Sequence, residues 1–392
     1  MLSYPIASST WDEAEYAALQ RVIASDQFTM GPEVAAFEQA FAEYLGVPYT
    51  VMVNSGSSAN LLMVAALCYR QQQPLKRGDE VIVPAVAWST SYFPFYQYGL
   101  KLKFVDIDLQ TLNYDLEALK SAVTETTRVI LAVNILGNPN HFELIKQMIA
   151  HRPIILLEDN CEALGAQYRG QLTGTFGLMA SFSFFFSHHI STMEGGLIAT
   201  ADEELYHILL ALRAHGWTRN LPEHNQVHEK SQNSLQEAFN FVLPGYSLRP
   251  LEFAGAVGQA QLKKLPQMLQ VRRENAAQFL ELIKQFPYLI PQQQQEQSSW
   301  FGLSLIIDPQ SALSRQQLIQ VLAQQHIEVR PILSGNFTRN KAIHWFDYTL
   351  AGPLNNADII DQNGLFLGNH HWPLTQQFNV LATALQQINQ LI

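Results

Sequence analysis

The sequence predicts an α/β protein: a large domain on a mixed, mostly parallel sheet, followed by a smaller C-terminal α+β domain. Two observations carry this. From about residue 50 to 200, short apolar runs alternate with amphipathic stretches. Strands spaced by helices in this way imply right-handed crossovers into a largely parallel sheet. From about residue 251 the pattern changes to one long helical stretch and then isolated apolar runs.

Tyr49–Val53 reads as a strand, and a helix opens near Ser57. Glu80–Pro84, Leu102–Val105, Val129–Val133 and Ile154–Leu157 read as further buried strands. Asp115–Ala122 and His141–Ala150 read as helices between them. Val242–Pro250 holds two prolines and a glycine and reads as a loop. A long helix is expected from Leu251 towards Leu280. Pro291–Ser299 is Gln-rich, lacks hydrophobic periodicity and reads as an exposed loop. Gly302–Ile307 and Ile327–Ile332 read as strands. The expected division is a large domain over residues 1–250 and a small one over residues 251–392.

The chain has 392 residues, 47% of them hydrophobic, which is enough for a large core. Its net charge of -10 shows no basic face, so no nucleic-acid partner is expected. An anionic substrate must then be held by locally placed arginines or backbone N–H groups. The two cysteines, Cys68 and Cys161, do not make a disulfide scaffold and suit a reducing cytoplasm. Met1–Glu13 has neither the basic flank nor the apolar core of a signal peptide. No apolar run approaches the roughly 18 residues of a membrane helix. A cytoplasmic enzyme with no membrane contact is the expectation.

Four segments carry chemistry. Asn54–Asn60 follows a strand and opens a helix; Gly56 and the small residues Ser57 and Ser58 would let backbone N–H groups and serine oxygens reach a phosphate. The same residues also make an ordinary helix N-cap. Trp88 lies just past the strand ending at Pro84, where an aromatic ring either stacks on a flat ligand or packs in the core. Asp159 follows a run of aliphatic residues, and burying its carboxylate requires a cationic or hydrogen-bonding partner. A pyridinium nitrogen is one such partner; a capped turn is the other reading. Lastly, Ser181–Phe186 is an aromatic strand leading into His188, His189 and a Glu194-Gly195-Gly196 turn. Neighbouring histidines diverge along an extended chain, and no further ligands stand at zinc spacing, so no metal site is expected.

In this order, Gly56–Asn60, Trp88, Leu156–Asn160, Ser181–Phe185, the two histidines, Glu194–Gly196 and Gly245–Pro250 resemble the DegT/StrS-type sugar aminotransferases. The resemblance spans about residues 5 to 370. It implies a fold-type-I PLP-dependent aminotransferase fold, a nucleotide-linked keto sugar as substrate and a homodimer with shared active sites. In that family a cofactor-bearing lysine lies six residues before the Glu of the Glu-Gly-Gly turn, and His188 stands there in this chain. No lysine occurs between Lys146 and Lys230, so a small shift in alignment cannot restore one. His188–Ile190 and Thr192–Gly196, with Arg213–Asn220, look like the branch that removes the 3-hydroxyl of a GDP-linked 4-keto-6-deoxyhexose.

The resemblance implies noncovalent PLP/PMP, with L-glutamate reloading the amine. It makes His188 the base, with His188 or His215 protonating the leaving hydroxyl. It assigns Ser57, Ser58 and Ser183 to the cofactor phosphate, Trp88 to its ring face, Asp159 to its nitrogen and Glu162 to the ring's other side. Ser247 stands where the family offers an Asn to the neighbouring subunit's cofactor. Arg219, Arg249 and Arg330 are candidates for the nucleotide phosphates or for glutamate, with surface ion pairs as the alternative reading. A related branch adds an iron–sulfur cluster, for which two cysteines are too few, so none is expected. A sugar aminotransferase using histidine, and a non-catalytic binding protein, are the competing functions.

Overall fold

The computed structural model describes residues 3–389; the outermost residues of both expected domains lie outside that range. In chain order the strands are β1 (Tyr49–Val53), β2 (Glu80–Pro84), β3 (Lys101–Val105), β4 (Thr127–Val133), β5 (Ile155–Asp159), β6 (Gln167–Tyr168), β7 (Gln171–Leu172), β8 (Met179–Ser183) and β9 (Gly196–Thr200). They continue with β10 (Leu289–Ile290), β11 (Gly302–Ile307), β12 (Val329–Arg330), β13 (Tyr348–Leu350) and β14 (Gly364–Gly368).

Eight strands form the large sheet in the order β1-β9-β8-β5-β4-β2-β3-β13. Only β9 runs antiparallel to its neighbours, so the sheet is mixed and mostly parallel. The central strands are apolar on both faces: Val81, Ile82, Val83, Val129 and Ile130 are fully buried. That requires cover on each side, and helices such as Gly56–Tyr69 and Phe142–Ile149 provide it. The C-terminal ends of β2, β4, β5 and β8 share one edge, where open α/β sheets bind ligands.

A second sheet, β10-β11-β14-β12, packs its core on the helices Glu252–Ile283, Arg315–Gln324 and Thr375–Ile388. Segments from both ends of the chain cross between the two bodies. Tyr4 packs in the small core and donates its hydroxyl to Gly368 O at 2.8 Å. β13 returns to pair with β3 at the edge of the large sheet. The strand expected over Ile327–Ile332 shortens to Val329–Arg330, because Pro331 has no N–H with which to extend the ladder.

Pro291–Ser299 differs from the expected exposed loop. Gln292, Ser298 and Ser299 are buried against the large domain. Gln292 Nε2 donates to Thr111 O at 2.9 Å and Ile135 O at 3.0 Å, and Ser298 Oγ donates to Gly137 O at 2.9 Å. The polar composition signals backbone hydrogen bonding at a seam, with solvent reaching only the residues between. No helix among the described residues is long and apolar enough to cross a membrane.

Candidate active site

At the C-terminal edge of the large sheet lies a cavity of about 550 Å³. Of the residues singled out from the sequence, Gly56, Ser57, Trp88, Asp159, Glu162, Ser183, His188 and Arg330 line it.

One corner is built by close backbone approach. The chain leaves β1, turns at Ser55 and enters the helix Gly56–Tyr69, with Ser55 Oγ accepting from Ser58 N at 3.1 Å. A Cβ on Gly56 would meet Ser183 Cβ at 2.5 Å and Cys161 Sγ at 3.0 Å; one on Gly196 would meet Ser55 O at 2.2 Å. Glycine at both positions lets the helix start press against the ends of β8 and β9. Ser58 N is capped and Ala59 N donates to Ser55 O, which leaves the Gly56 and Ser57 amides as the first turn's free donors. Ser57 Oγ donates to Thr90 Oγ1 at 2.9 Å. The helix dipole adds partial positive charge there.

β5 extends through both acids of its sequence, so Glu158 and Asp159 project to opposite faces. Glu158 is fully buried and accepts from Gly174 N, Phe176 N and Gly177 N, each at 2.7 Å. Asp159, on the cavity face, accepts from Ser91 Oγ at 2.7 Å, Asn60 Nδ2 at 2.9 Å and Cys161 N at 3.1 Å. Ser181 Oγ donates to Asn60 Oδ1 at 2.6 Å and so fixes which end of that amide faces Asp159. A carboxylate offers about four acceptor positions, so room remains for one further N–H donor. Glu162 keeps a little surface open to the cavity, and its Oε2 accepts from Leu136 N at 2.9 Å. Burial, with a smaller push from Asp159, raises its pKa to about 8 against the opposing hydrogen bond. That raised value favours the protonated acid at neutral pH.

His188 follows the Phe184–Phe186 stretch, and its N–H donates to Phe185 O at 2.9 Å. Its ring meets the Phe301 ring edge-on at 5.1 Å and lies 6.1 Å from Phe185. Nδ1 is buried and has no hydrogen-bond partner among the described residues. Burial first, and the charge of Arg272 second, lower the imidazole pKa to about 4. His188 is thus neutral and able to accept a proton near pH 7. His189 points elsewhere: its Nε2 donates to Ser299 O at 3.1 Å, tying the loop to the domain seam.

Other candidates are not brought into this cavity. Ser58 Oγ turns back to Asn54 Oδ1 at 2.6 Å. His215, Arg219, Arg249 and Ser247 gather at a separate place. There the Trp217 ring has Arg219 Cζ 5.3 Å away, Arg249 Cζ 5.9 Å away and the His215 ring at 4.9 Å. Ser247 bridges to Ala214 beside them. Arg219, Arg249 and Arg330 form no ion pair among the described residues.

The site also contains residues that had not been singled out. Asn60 stands one helical turn beyond Gly56, a spacing that places both on one face. Ser91 follows Trp88 by three positions on the same turn. Phe301 and Phe366 enter from the small domain, and no local pattern marks them.

The fold and site define a family. Residues 9–383 match the DegT/DnrJ/EryC1/StrS aminotransferase family, and the chain belongs to it. Within it, the chain is 56% identical over 387 residues to the GDP-4-keto-6-deoxy-D-mannose 3-dehydratase of Yersinia pseudotuberculosis, covering 97% of this chain and 98% of that one. A crystal structure of GDP-4-keto-6-deoxymannose-3-dehydratase with a trapped PLP-glutamate geminal diamine superposes with a TM-score of 0.97 at 55% identity, covering 98% of this chain and 100% of the other. An H188N mutant of that enzyme with bound GDP-perosamine superposes with a TM-score of 0.96, with the same identity and coverage.

The residues present fit the cofactor of this family. Free amides at a helix start and neighbouring hydroxyls suit a phosphate, the half-exposed Trp88 suits a flat ring, and Asp159 retains an acceptor position for a ring N–H.

Proposed function

We propose that the chain is a PMP-dependent sugar 3-dehydratase that removes the C3 hydroxyl of GDP-4-keto-6-deoxy-D-mannose. One observation carries this: a half-buried histidine, held neutral by its surroundings, lines the cavity at the position where the family resemblance implies a lysine. Identity above one half to two dehydratases of that specificity supports it.

When bound, PMP supplies an amine that condenses with the 4-keto carbon and a ring that accepts electrons. Gly56, Ser57 and Ser183 hold the phosphate, Trp88 covers the ring and Asp159 balances the ring nitrogen. Glu162, protonated, donates a hydrogen bond on the ring's other side. His188 takes the proton from the cofactor's methylene carbon. A conjugate acid with a pKa near 4 then gives that proton up readily, and the 3-hydroxyl leaves with it as water. Hydrolysis would release ammonia and a 3-deoxy-4-keto product and leave the cofactor as its aldehyde, and glutamate would restore the amine, departing as its 2-oxo acid.

Arg330, at the cavity mouth, takes the nucleotide phosphates or the glutamate carboxylate. Arg219, Arg249, His215 and Ser247 serve the cavity of a second copy, so the working unit is a homodimer with shared sites. The two cysteines leave no set of ligands for an iron–sulfur cluster, and no covalent lysine link forms. The product suits cytoplasmic synthesis of a 3,6-dideoxysugar such as colitose for O-antigen.

The test is incubation with PLP, L-glutamate and GDP-4-keto-6-deoxymannose. Ammonia and a 3-deoxy sugar are expected. A stable amino sugar would make the chain an aminotransferase, and PMP binding without turnover would make it a binding protein.

A further inference from the structure

We infer that Arg272 is a positioning residue for His188: by holding the Phe301 carbonyl it seats the Phe301 ring against the imidazole, and its buried guanidinium sets a charge without a carboxylate partner behind that contact. The inference rests on His188 being the base.

Arg272 lies in the helix Glu252–Ile283 and is 4% exposed. Its Nη1 donates to Phe301 O at 3.2 Å and Asn369 O at 2.6 Å, while its Nε has no partner. Among the described residues no carboxylate pairs with it. Burial lowers its pKa only to about 10, so it stays charged at neutral pH. A buried guanidinium without an anion is costly to keep. A plain tie between the domains would not need the charge.

The neighbouring Arg273 donates from Nε to Ser298 O at 3.1 Å and from Nη2 to Gly165 O at 2.9 Å. The two arginines hold the backbone at Ser298 and Phe301, and Ser299 O between them receives the His189 bond. The Phe301 ring, fixed in this way, touches both histidine rings, at 5.1 Å and 5.7 Å. One side chain therefore sets where the imidazole can sit.

Its charge acts on the same ring. His188 shares its loop with His189 and the cavity lining with Asp159, Glu162, Glu194 and Arg330, and Arg272 acts on it from the long helix. Ionised acids on that list favour the imidazolium. Arg272 opposes them from the protein side, where no solvent screens it.

The test uses the full-length protein with 13C-labelled histidine, the His188 signal being the one absent from the His188→Asn variant. Arg272→Gln and Arg272→Met remove the charge with two different shapes, and Arg272→Lys keeps it; melting curves confirm that each variant folds. The His188 titration midpoint should rise by about one pH unit in the neutral variants and stay near the parent's in Arg272→Lys. A midpoint unmoved in the neutral variants overturns the inference, whatever happens to turnover. The acid limb of the dehydration rate should move with that midpoint. If the NMR midpoint moves and the rate profile does not, Arg272 governs His188 but His188 is not the base.

Discussion

Gly56→Ala is the sharpest structural test of the cofactor cradle. The added Cβ would sit 2.5 Å from Ser183 Cβ and 3.0 Å from both Cys161 Sγ and Ser183 Oγ. Carbon atoms pack at about 3.5–4.0 Å, so the helix start or the end of β8 must yield by roughly 1 Å. Overpacking of this kind costs about 1–3 kcal/mol. The same displacement withdraws the Gly56 and Ser57 amides from the phosphate. Losing one hydrogen bond to a charged group costs about 1.5–3 kcal/mol, which weakens PMP binding roughly 10- to 100-fold. Urea unfolding reads the first effect, and a PMP absorbance titration reads the second. Gly352→Ala is the control: nothing lies within 4 Å of its Cβ, and both quantities should stay close to the parent's. A Gly56→Ala protein that is destabilised but binds PMP at the parental affinity would sink the cradle assignment.

Three further outcomes are expected. His188→Lys should trap PLP: the lysine amine condenses with the aldehyde, water is lost, and a visible band appears that borohydride abolishes. Dehydration should disappear in the same variant, and parental dehydration would remove the role given to His188. Glu162 titrates near 8 when folded against 4.5 as a free side chain, so the folded state holds the extra proton and stability falls as pH rises through that window. His188 runs the opposite way, from 6.5 down to about 4, and its gain in stability is nearly complete by pH 6.5. Glu162→Gln should therefore remove a stability loss between about pH 6.5 and 8, measured as urea midpoints; an unchanged slope contradicts the burial argument. Mixing His188→Asn protomers with an Arg219→Ala/Arg249→Ala double variant should restore about a quarter of the activity, since half the dimers are mixed and hold one intact site. No recovery would mean that the Trp217 cluster does not serve a second copy.

What the sequence reveals depends on how local the cause is. β2, β4 and the helix Gly56–Tyr69 were legible because their apolar pattern follows from burial within each segment. Asp159 was legible because an acid closing an aliphatic strand has few tolerable environments. The seam at Ser298–Phe301 was not legible: Gln292, Ser298 and Ser299 look solvated until Gly137 and Ile135 supply backbone partners from far along the chain. The same limit hid Phe301, whose contact with His188 spans more than a hundred residues. It also hid β13, a three-residue strand that only the edge of β3 defines. Ser58 was read from the helix-start pattern and His215, Ser247, Arg219 and Arg249 from the resemblance, but neither says which cavity a side chain enters.

On the proposed function, the two adjacent acids of β5 bear on how a cofactor would be held where histidine stands in place of a lysine anchor. Glu158 turns away from the cavity and gathers three backbone amides from the 174–177 turn, so the end of the strand is held from behind. Asp159 faces the cavity and is oriented by Asn60, in the helix that follows β1, and by Ser91, in the turn that follows β2. Asn60 belongs to the same helix whose first turn offers Gly56 and Ser57, so its bond to Asp159 ties the proposed phosphate corner to the proposed ring-nitrogen acceptor. A cofactor held at both of those points and covered by Trp88, as proposed, would keep its place without a bond to the chain. The freed position can then carry a side chain chosen for proton transfer, and burial against Phe301 with Arg272 behind it supplies a neutral imidazole there.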